Sequence, residues 1–223
     1  MKEFLIGNAN CYEFQATDQL VDSVLANIEN SNVEYKKISL NQNNSPTMGY
    51  IKNEYGYTSF YHQELYSFLD ECLKEVAEKN FNNFSLKIVD LWTTKSKFGQ
   101  SSQSHFHTMS IFSGLLYLSD CDRSETEFTM NTRLYDNWKF FIHENFIKNK
   151  EQTYRVKPKK GKIIIWPSDI KHKITPHSTK DDRYTIAFNT FLEGISLKSS
   201  ARINISLTDG CQPEDAIPFR KKT

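Results

Sequence analysis

Gly161-Lys162-Ile163-Ile164-Ile165-Trp166-Pro167-Ser168-Asp169-Ile170-Lys171-His172 is the stretch on which the fold turns. Four large apolar residues follow a glycine turn, and a Trp-Pro-Ser-Asp corner closes the run just before a histidine. A short apolar run of β-branched and aromatic residues between turn signals reads as a buried strand. A strand that ends in a tight turn and then a histidine can aim a metal ligand at the mouth of a β-barrel. Imidazole suits iron, zinc, copper and nickel, so the ligand type does not choose the metal.

Upstream of this strand the sequence keeps a period of two back to about residue 84. Leu86, Ile88, Asp90 and Trp92 alternate with Lys87, Val89 and Leu91. Further strands are predicted over 113–118, 153–156, 184–191 and 203–207, with turns such as Pro158-Lys159-Lys160-Gly161 between them. Before residue 84 the period is helical. Leu20, Val21, Val24, Leu25 and Ile28 follow a cap at Thr17 or Asp18. A second helix over about 58–79 gathers Leu65, Phe68, Leu69, Cys72, Leu73 and Val76 on one face. Asn41-Gln42-Asn43-Asn44-Ser45-Pro46 reads as a loop, and the opening Met1–Gly7 as an edge strand rather than a signal segment. The span 120–150 reads as a short strand and then a long insertion over the barrel mouth, whose Arg133, Tyr135, Trp138, Phe140 and Phe141 suit substrate selection and plain packing equally. Two helices followed by many short strands predict a mainly β fold, an antiparallel barrel or sandwich with the N-terminal helices packed outside. The division is a single domain over 1–223: helical support over 1–83, a β core over 84–210 and a tail over 211–223.

Composition excludes several classes of function. An apolar fraction of 38%, with 16 Phe, 11 Tyr and 3 Trp, can fill a sizeable core. A formal net charge of +1 leaves no electrostatic footprint for nucleic acid or an anionic membrane. No apolar run approaches the roughly 20 residues needed to cross a bilayer. Cys11, Cys72, Cys121 and Cys211 stand far apart, which predicts buried reduced thiols and a cytoplasmic protein.

The histidines carry the chemistry. His105-Phe106-His107 lies in strand-like sequence, where residues i and i+2 point to one side and both imidazoles can converge on one ion. Together with His172 they make a candidate metal site. His177 reads as a loop residue, and His62 and His143 as surface residues. Eleven positions after His172, Arg183 opens Arg183-Tyr184-Thr185-Ile186-Ala187-Phe188-Asn189. A guanidinium fork with a hydroxyl two residues later suits a carboxylate, although Asp181 or Asp182 beside it offers a plain ion pair instead.

In this order the elements resemble the non-haem iron(II), 2-oxoglutarate-dependent oxygenase superfamily, nearest to a group common in bacteria and tailed phages. That group shows a tryptophan strand, H-x-H-x-x-S running into S-G-x-x-Y, a P-S turn with a histidine, and R-x-S/T-x-x-F-N. Here these read Leu91-Trp92-Thr93, His105 to Ser110, Ser113-Gly114-Leu115-Leu116-Tyr117, Trp166 to His172 and Arg183 to Asn189. The resemblance covers about residues 86 to 192. It implies a double-stranded β-helix (a jelly-roll, cupin-like barrel). It also implies iron(II) and 2-oxoglutarate as cofactors, oxygen as co-substrate, and oxidation of a C–H bond coupled to decarboxylation of 2-oxoglutarate to succinate. His105 and His172 correspond to iron ligands, Arg183 and Thr185 to the anchor of the distal carboxylate, and Tyr117 and Asn189 to weaker contacts to the co-substrate. The primary substrate, a small metabolite or a protein side chain, is unspecified.

One departure stands out. The superfamily has Asp or Glu where this sequence has His107. Either three imidazoles form the site, or an acid such as Asp120, Glu125 or Glu127 completes it. A cupin-type metalloenzyme is the rival on the same barrel, matched by Gly99, His105, His107, Gly161, Pro167 and His172. Ile111 and Phe112 occupy the place of its glutamate, and such an enzyme has no use for Arg183. A jelly-roll binding module without a working site is the non-catalytic alternative.

Overall fold

A computed structural model describes residues 1–7, 9–31, 33–36, 47–53, 56–58, 61–131, 151–198 and 201–207. The N-terminal elements are β1 (Lys2–Ile6), β2 (Ala9–Gln15), α1 (Asp18–Asn30), β3 (Val33–Lys36), β4 (Thr47–Asn53), β5 (Gly56–Thr58) and α2 (Gln63–Asn80). Then follow β6 (Phe84–Ser96), β7 (Phe112–Tyr117), β8 (Thr126–Asn131), β9 (Glu151–Val156), β10 (Lys162–Pro167), β11 (Lys171–Ile174), β12 (Arg183–Lys198) and β13 (Ala201–Ile205).

The apolar run of β10 is continuous because that strand is buried on both faces. Ile163 and Ile165 join Leu65, Leu69, Leu73 and Val76 of α2 in one core, while Ile164 and Trp166 face Leu115, Phe128 and Ala187 in another. β10 lies inside a ten-stranded antiparallel sheet of order β1-β2-β10-β7-β12-β6-β4-β3, with β13 beside β12 and β5 beside β4. The helices cover one face. The other face packs against a second sheet, β11-β8-β9. Two facing antiparallel sheets with helices outside form the expected jelly-roll.

α1 and α2 form where the apolar spacing predicts them, burying Leu20, Val21, Val24 and Ile28 on the first and Leu65 through Ala77 on the second. Thr17 caps α1 by accepting the Leu20 N–H at 3.2 Å. α2 begins later than the period suggests, at Gln63, because Thr58 belongs to β5 and His62 is the cap. His62 is no idle surface residue. Its Nδ1 accepts the Leu65 N–H at 3.3 Å, so Nε2 carries the proton it shares with Ser23 of α1 at 3.0 Å. The N-terminal third also contributes β1 to β5 to the large sheet, of which the sequence pattern announces the first alone.

The alternation in β6 does not run through in one phase. Asn189 pairs with Asp90 but Thr190 with Ile88, so Val89 is an extra residue, a β-bulge. Leu86 and Ile88 therefore face the helices with Leu91, while Trp92 turns to the second core. On β12 the period of two is clean over its first half: Ile186 and Phe188 face the helical core, and Ala187 faces the second one.

Gly114 of β7 lies opposite Phe188 of β12. A Cβ there would stand 2.0 Å from the Phe188 ring, so the aromatic packs against bare backbone. Gly114→Ala is expected to destabilise the fold by about 1–3 kcal/mol through overpacking. A lowered urea midpoint at unchanged m would show it. The predicted loop over 41–46, the insertion from 132 with Arg133, Tyr135, Trp138, Phe140, Phe141 and His143, and the tail with Cys211 lie outside the described residues.

Candidate metal centre

His172 sits on β11 at the edge of the smaller sheet, and the segment carrying His105 and His107 docks beside it. His105 and His172 exchange both backbone hydrogen bonds, at 2.9 and 2.8 Å, in an isolated antiparallel bridge. The His107 N–H donates to the Ser168 carbonyl at 2.9 Å, in the Trp-Pro-Ser-Asp corner. The H-x-H segment is thus not the regular strand expected. Ser101-Ser102-Gln103-Ser104 lacks strand formers, and Met109 is in the left-handed region at φ 58°. It is pinned instead at spaced points, among them Ser102 N–H to Ile174 O at 3.1 Å and a pair between His177 and residues 99 and 100 at 2.7 and 2.9 Å. His177, expected to be a plain loop residue, is 2% exposed and holds the start of this segment.

One candidate ligand nitrogen from each of the three rings lies within 4.8 Å of the others, close enough to meet on one ion. Their ring centroids are 4.4, 5.1 and 5.3 Å apart. His105 is exposed, His107 half-buried and His172 buried, so the cluster runs inward from the barrel mouth. Trp92 stacks on His107 at 5.9 Å, and Trp166 packs edge-on against His172 at 4.9 Å.

Each ring has an oxygen acceptor at Nδ1. For His105 it is the Gln103 carbonyl at 2.8 Å, for His172 the Ile170 carbonyl at 3.1 Å, and for His107 the Asn189 side-chain oxygen. An acceptor at Nδ1 places the proton there and leaves the Nε2 lone pair for a metal. Burial pushes the pKa of His172 down to about 3, with the neighbouring His105 adding to the shift, and burial lowers that of His107 as well. Metals bind the neutral ring, so this donor set fits a divalent transition metal.

Arg183 is 2% exposed. One guanidinium nitrogen donates to Ser124 Oγ at 3.1 Å, while Nε and Nη2 are buried with no partner among the described residues. Asp182, the plain alternative, pairs with Lys95 at 2.8 Å. A buried cation with two idle donors is costly and fits an incoming carboxylate. Ser124 holds its hydroxyl toward Arg183 from a left-handed backbone at φ 83°, which is rare for serine. Nothing in the sequence marks Ser124, because its contact spans 59 residues.

Thr185, two residues on from Arg183, is buried and its hydroxyl meets that of Thr94. Tyr117 is fully buried, with its ring 5.6 Å from the Arg183 guanidinium carbon and its hydroxyl 2.6 Å from Thr126 Oγ1. Burial pushes its pKa up to about 12, so it stays a hydrogen-bond donor. Asn189 points its oxygen at His107 and at Ser113. A cavity of about 560 Å³ is lined by the three histidines, Asn189 and Thr185 together with Trp92, Leu115, Trp166, Ala187 and Thr126, and Arg183 and Tyr117 lie behind that lining. That volume suits a small-molecule site.

None of the three acids considered joins the cluster. Glu127 is held by Arg155 and Lys173, each at 2.7 Å, Glu125 lies 3.8 Å from Arg155, and Asp120 accepts the Lys160 N–H at 2.8 Å. On β8 the inward side is that of Phe128 and Thr126, so alternation turns Glu125 and Glu127 away from the cavity. Among the described residues the three histidines are the sole cluster of metal-binding type.

Residues 90–189 match the family model described as "Putative 2OG-Fe(II) oxygenase". Among solved structures, HygX from Streptomyces hygroscopicus, with nickel and 2-oxoglutarate bound, aligns at TM-score 0.55 and 11% identity, covering 82% of each chain. A prolyl-4-hydroxylase from Pseudomonas putida aligns at TM-score 0.54 and 10% identity over 80% of this chain and 91% of its own. A Trichoplax adhaerens prolyl hydroxylase, in complex with a hypoxia inducible factor peptide, aligns at 0.53 and 12% over 81% and 83%. At these identities the likeness is one of fold. Comparison with curated proteins gives no match.

Proposed function

We propose that the chain, whose residues 90–189 match the family model of the 2OG-Fe(II) oxygenases, is a hydroxylase that holds iron(II) on His105, His107 and His172 and 2-oxoglutarate on Arg183. The observation that carries this reading is the buried Arg183, with two donors unpartnered among the described residues, on the strand that also brings Thr185 and Asn189 to the cavity of three imidazoles whose ligand nitrogens lie within 4.8 Å of one another. Iron and 2-oxoglutarate, when bound, supply the oxidising chemistry, in which oxygen and 2-oxoglutarate are consumed to give succinate, carbon dioxide and an oxidised substrate.

The residues of the chain bind, orient and exclude water. Arg183 receives the distal carboxylate, with Ser124 fixing one end of the guanidinium and Tyr117 flanking it. The hydroxyls of Thr185 and Thr126, which line the cavity, are placed to add hydrogen bonds. Trp92, Leu115, Trp166 and Ala187 give the cavity dry walls, where charge-assisted bonds are stronger than in water. Three neutral imidazoles leave the metal one negative charge short of a site with a carboxylate, so an anionic co-substrate gains more from binding here. The idle donors of Arg183 favour this reading over a cupin-type enzyme.

Succinate is expected to form from 2-oxoglutarate only when iron(II) and oxygen are both present. 2-Oxoglutarate left unconsumed by the iron-loaded protein, with and without candidate metabolites and peptides, would refute the assignment. The primary substrate is a small metabolite or a protein side chain, both of which the assay covers. Cys11, Cys72 and Cys121 are buried free thiols, in keeping with a reducing, cytoplasmic setting. No helix among the described residues is long and apolar enough to cross a membrane.

A further inference from the structure

Four residues of the sequence motifs hold neither metal nor carboxylate in the reading above, yet the fold brings them together. Ser110 lies just past the H-x-H segment, Ser113 on β7, Ser168 in the corner after β10, and Asn189 on β12. Ser113 Oγ donates to Asn189 Oδ1 at 2.9 Å and lies 2.8 Å from Ser168 Oγ, which in turn lies 2.8 Å from Ser110 Oγ. Ser110 donates to the carbonyls of Phe112 at 3.0 Å and Thr190 at 3.2 Å and accepts the Thr190 N–H at 3.3 Å. Ser113 and Ser168 are buried, at 0% and 1% exposure, where a polar chain persists only if its members satisfy one another. At the far end of the chain stands His107 Nδ1, against Asn189 Oδ1.

We propose that this hydroxyl–amide chain is a positioning device for His107, which keeps the ring proton on Nδ1 so that Nε2 is presented to the metal. The inference rests on His107 being a ligand. A carboxylate offers lone pairs on both oxygens, whereas an imidazole offers one, and the tautomer decides where it points. His105 and His172 fix their tautomers with carbonyls two residues back in their own backbone. His107 makes no such bond, and Asn189 stands in for it. An amide has two ends: reversed, it would donate from Nδ2 to the ring, drive the proton to Nε2 and block the metal. The serines set the orientation. Ser168 gives its proton to Ser110, and Ser113 gives its proton to the amide oxygen, which holds the oxygen rather than the Nδ2 end of Asn189 toward Ser113 and His107.

The test is ¹⁵N-edited NMR of the histidine rings in the full chain, without metal and with zinc(II), beside zinc titration. Metal-free wild type is expected to carry the His107 proton on Nδ1. Asn189→Ala should relax His107 to a mixture of tautomers and weaken zinc by about 10- to 100-fold, the usual cost of losing a residue that orients a metal ligand. Asn189→Asp keeps the acceptor oxygen and should retain both properties, and the His105 and His172 signals should not change. Ser113→Ala removes the second donor to the amide oxygen and decides the matter if Asn189→Ala does not fold. An Nε2 proton on His107 in metal-free wild type, or unaltered tautomer and affinity in the variants, overturns the proposal. Zinc that binds without shifting the His107 ring nitrogens refutes the ligand assignment instead, whatever the tautomer.

Discussion

Arg183→Met is expected to weaken 2-oxoglutarate by roughly 30-fold to several-thousand-fold while leaving zinc or iron affinity close to that of the wild type. Truncating one partner of a buried hydrogen-bonded charge pair costs about 2–5 kcal/mol, and each 1.4 kcal/mol is a factor of ten. The metal is spared because Arg183 touches none of the histidines' hydrogen-bond partners. Stability should move the other way. Without co-substrate, Arg183 keeps a cation buried with two donors unmet among the described residues, and burial lowers its pKa from the ordinary guanidinium value. A methionine fills similar space without that penalty, so the metal-free variant should melt at the same temperature as the wild type or higher. 2-Oxoglutarate should then raise the melting temperature of the metal-loaded wild type and not of the variant. Isothermal titration and thermal denaturation of the two proteins measure both effects. A variant much less stable than wild type, with 2-oxoglutarate affinity intact, would make Arg183 a packing residue.

His172→Ala is expected to remove metal binding outright, a loss greater than the roughly 10- to 100-fold that follows from disturbing a residue that merely orients a ligand. His172 is 5% exposed and wedged between Trp166 and Phe128, with centroid distances of 4.9 and 6.0 Å, so no other side chain can swing into its place without moving that wall. The backbone pair between residues 105 and 172 survives the substitution, which leaves the H-x-H segment docked and the loss attributable to the missing ring. Metal content by mass spectrometry and cobalt(II) absorption titration read the outcome. Unchanged metal content would show that the ion, if held, is held elsewhere.

Much of this site was legible in the chain because its parts announce themselves locally. A run such as Ile163 to Trp166 has one use, as a strand covered on both faces, and the corner after it can only deliver His172 to the sheet edge. The spacing of Leu65, Leu69, Cys72, Leu73 and Val76 admits only a helix with that face inward. Arg183 and Thr185 share a side of β12 by the period of two, and the structure buries both. The failures are equally specific. The bulge at Val89 changes the phase of β6 without any glycine or proline to signal it. β2 is not announced although Tyr12 and Phe14 enter the helical core and Cys11 the second one, and β3 to β5 are short strands of four, seven and three residues paired into the large sheet. His177 looks like a loop residue, and tertiary contacts make it structural: residues 99 and 100 dock on its backbone, and its ring lies 2.7 Å from the Asp181 carbonyl and 3.7 Å from Cys121 Sγ.

Residue type and period by themselves determined a mainly β fold with two outer helices and marked the histidines and Arg183 as candidates, while the jelly-roll came with the resemblance, because strand and helix periods are local properties that a few consecutive side chains fix. Tertiary structure decided which polar groups meet. That Glu125 and Glu127 face away, that Ser124 rather than an acid holds Arg183, and that Asn189 serves His107 all depend on strand register between residues 28 to 82 positions apart. A one-residue shift of register exchanges the two faces of a strand, and no local pattern records which partner the shift would bring.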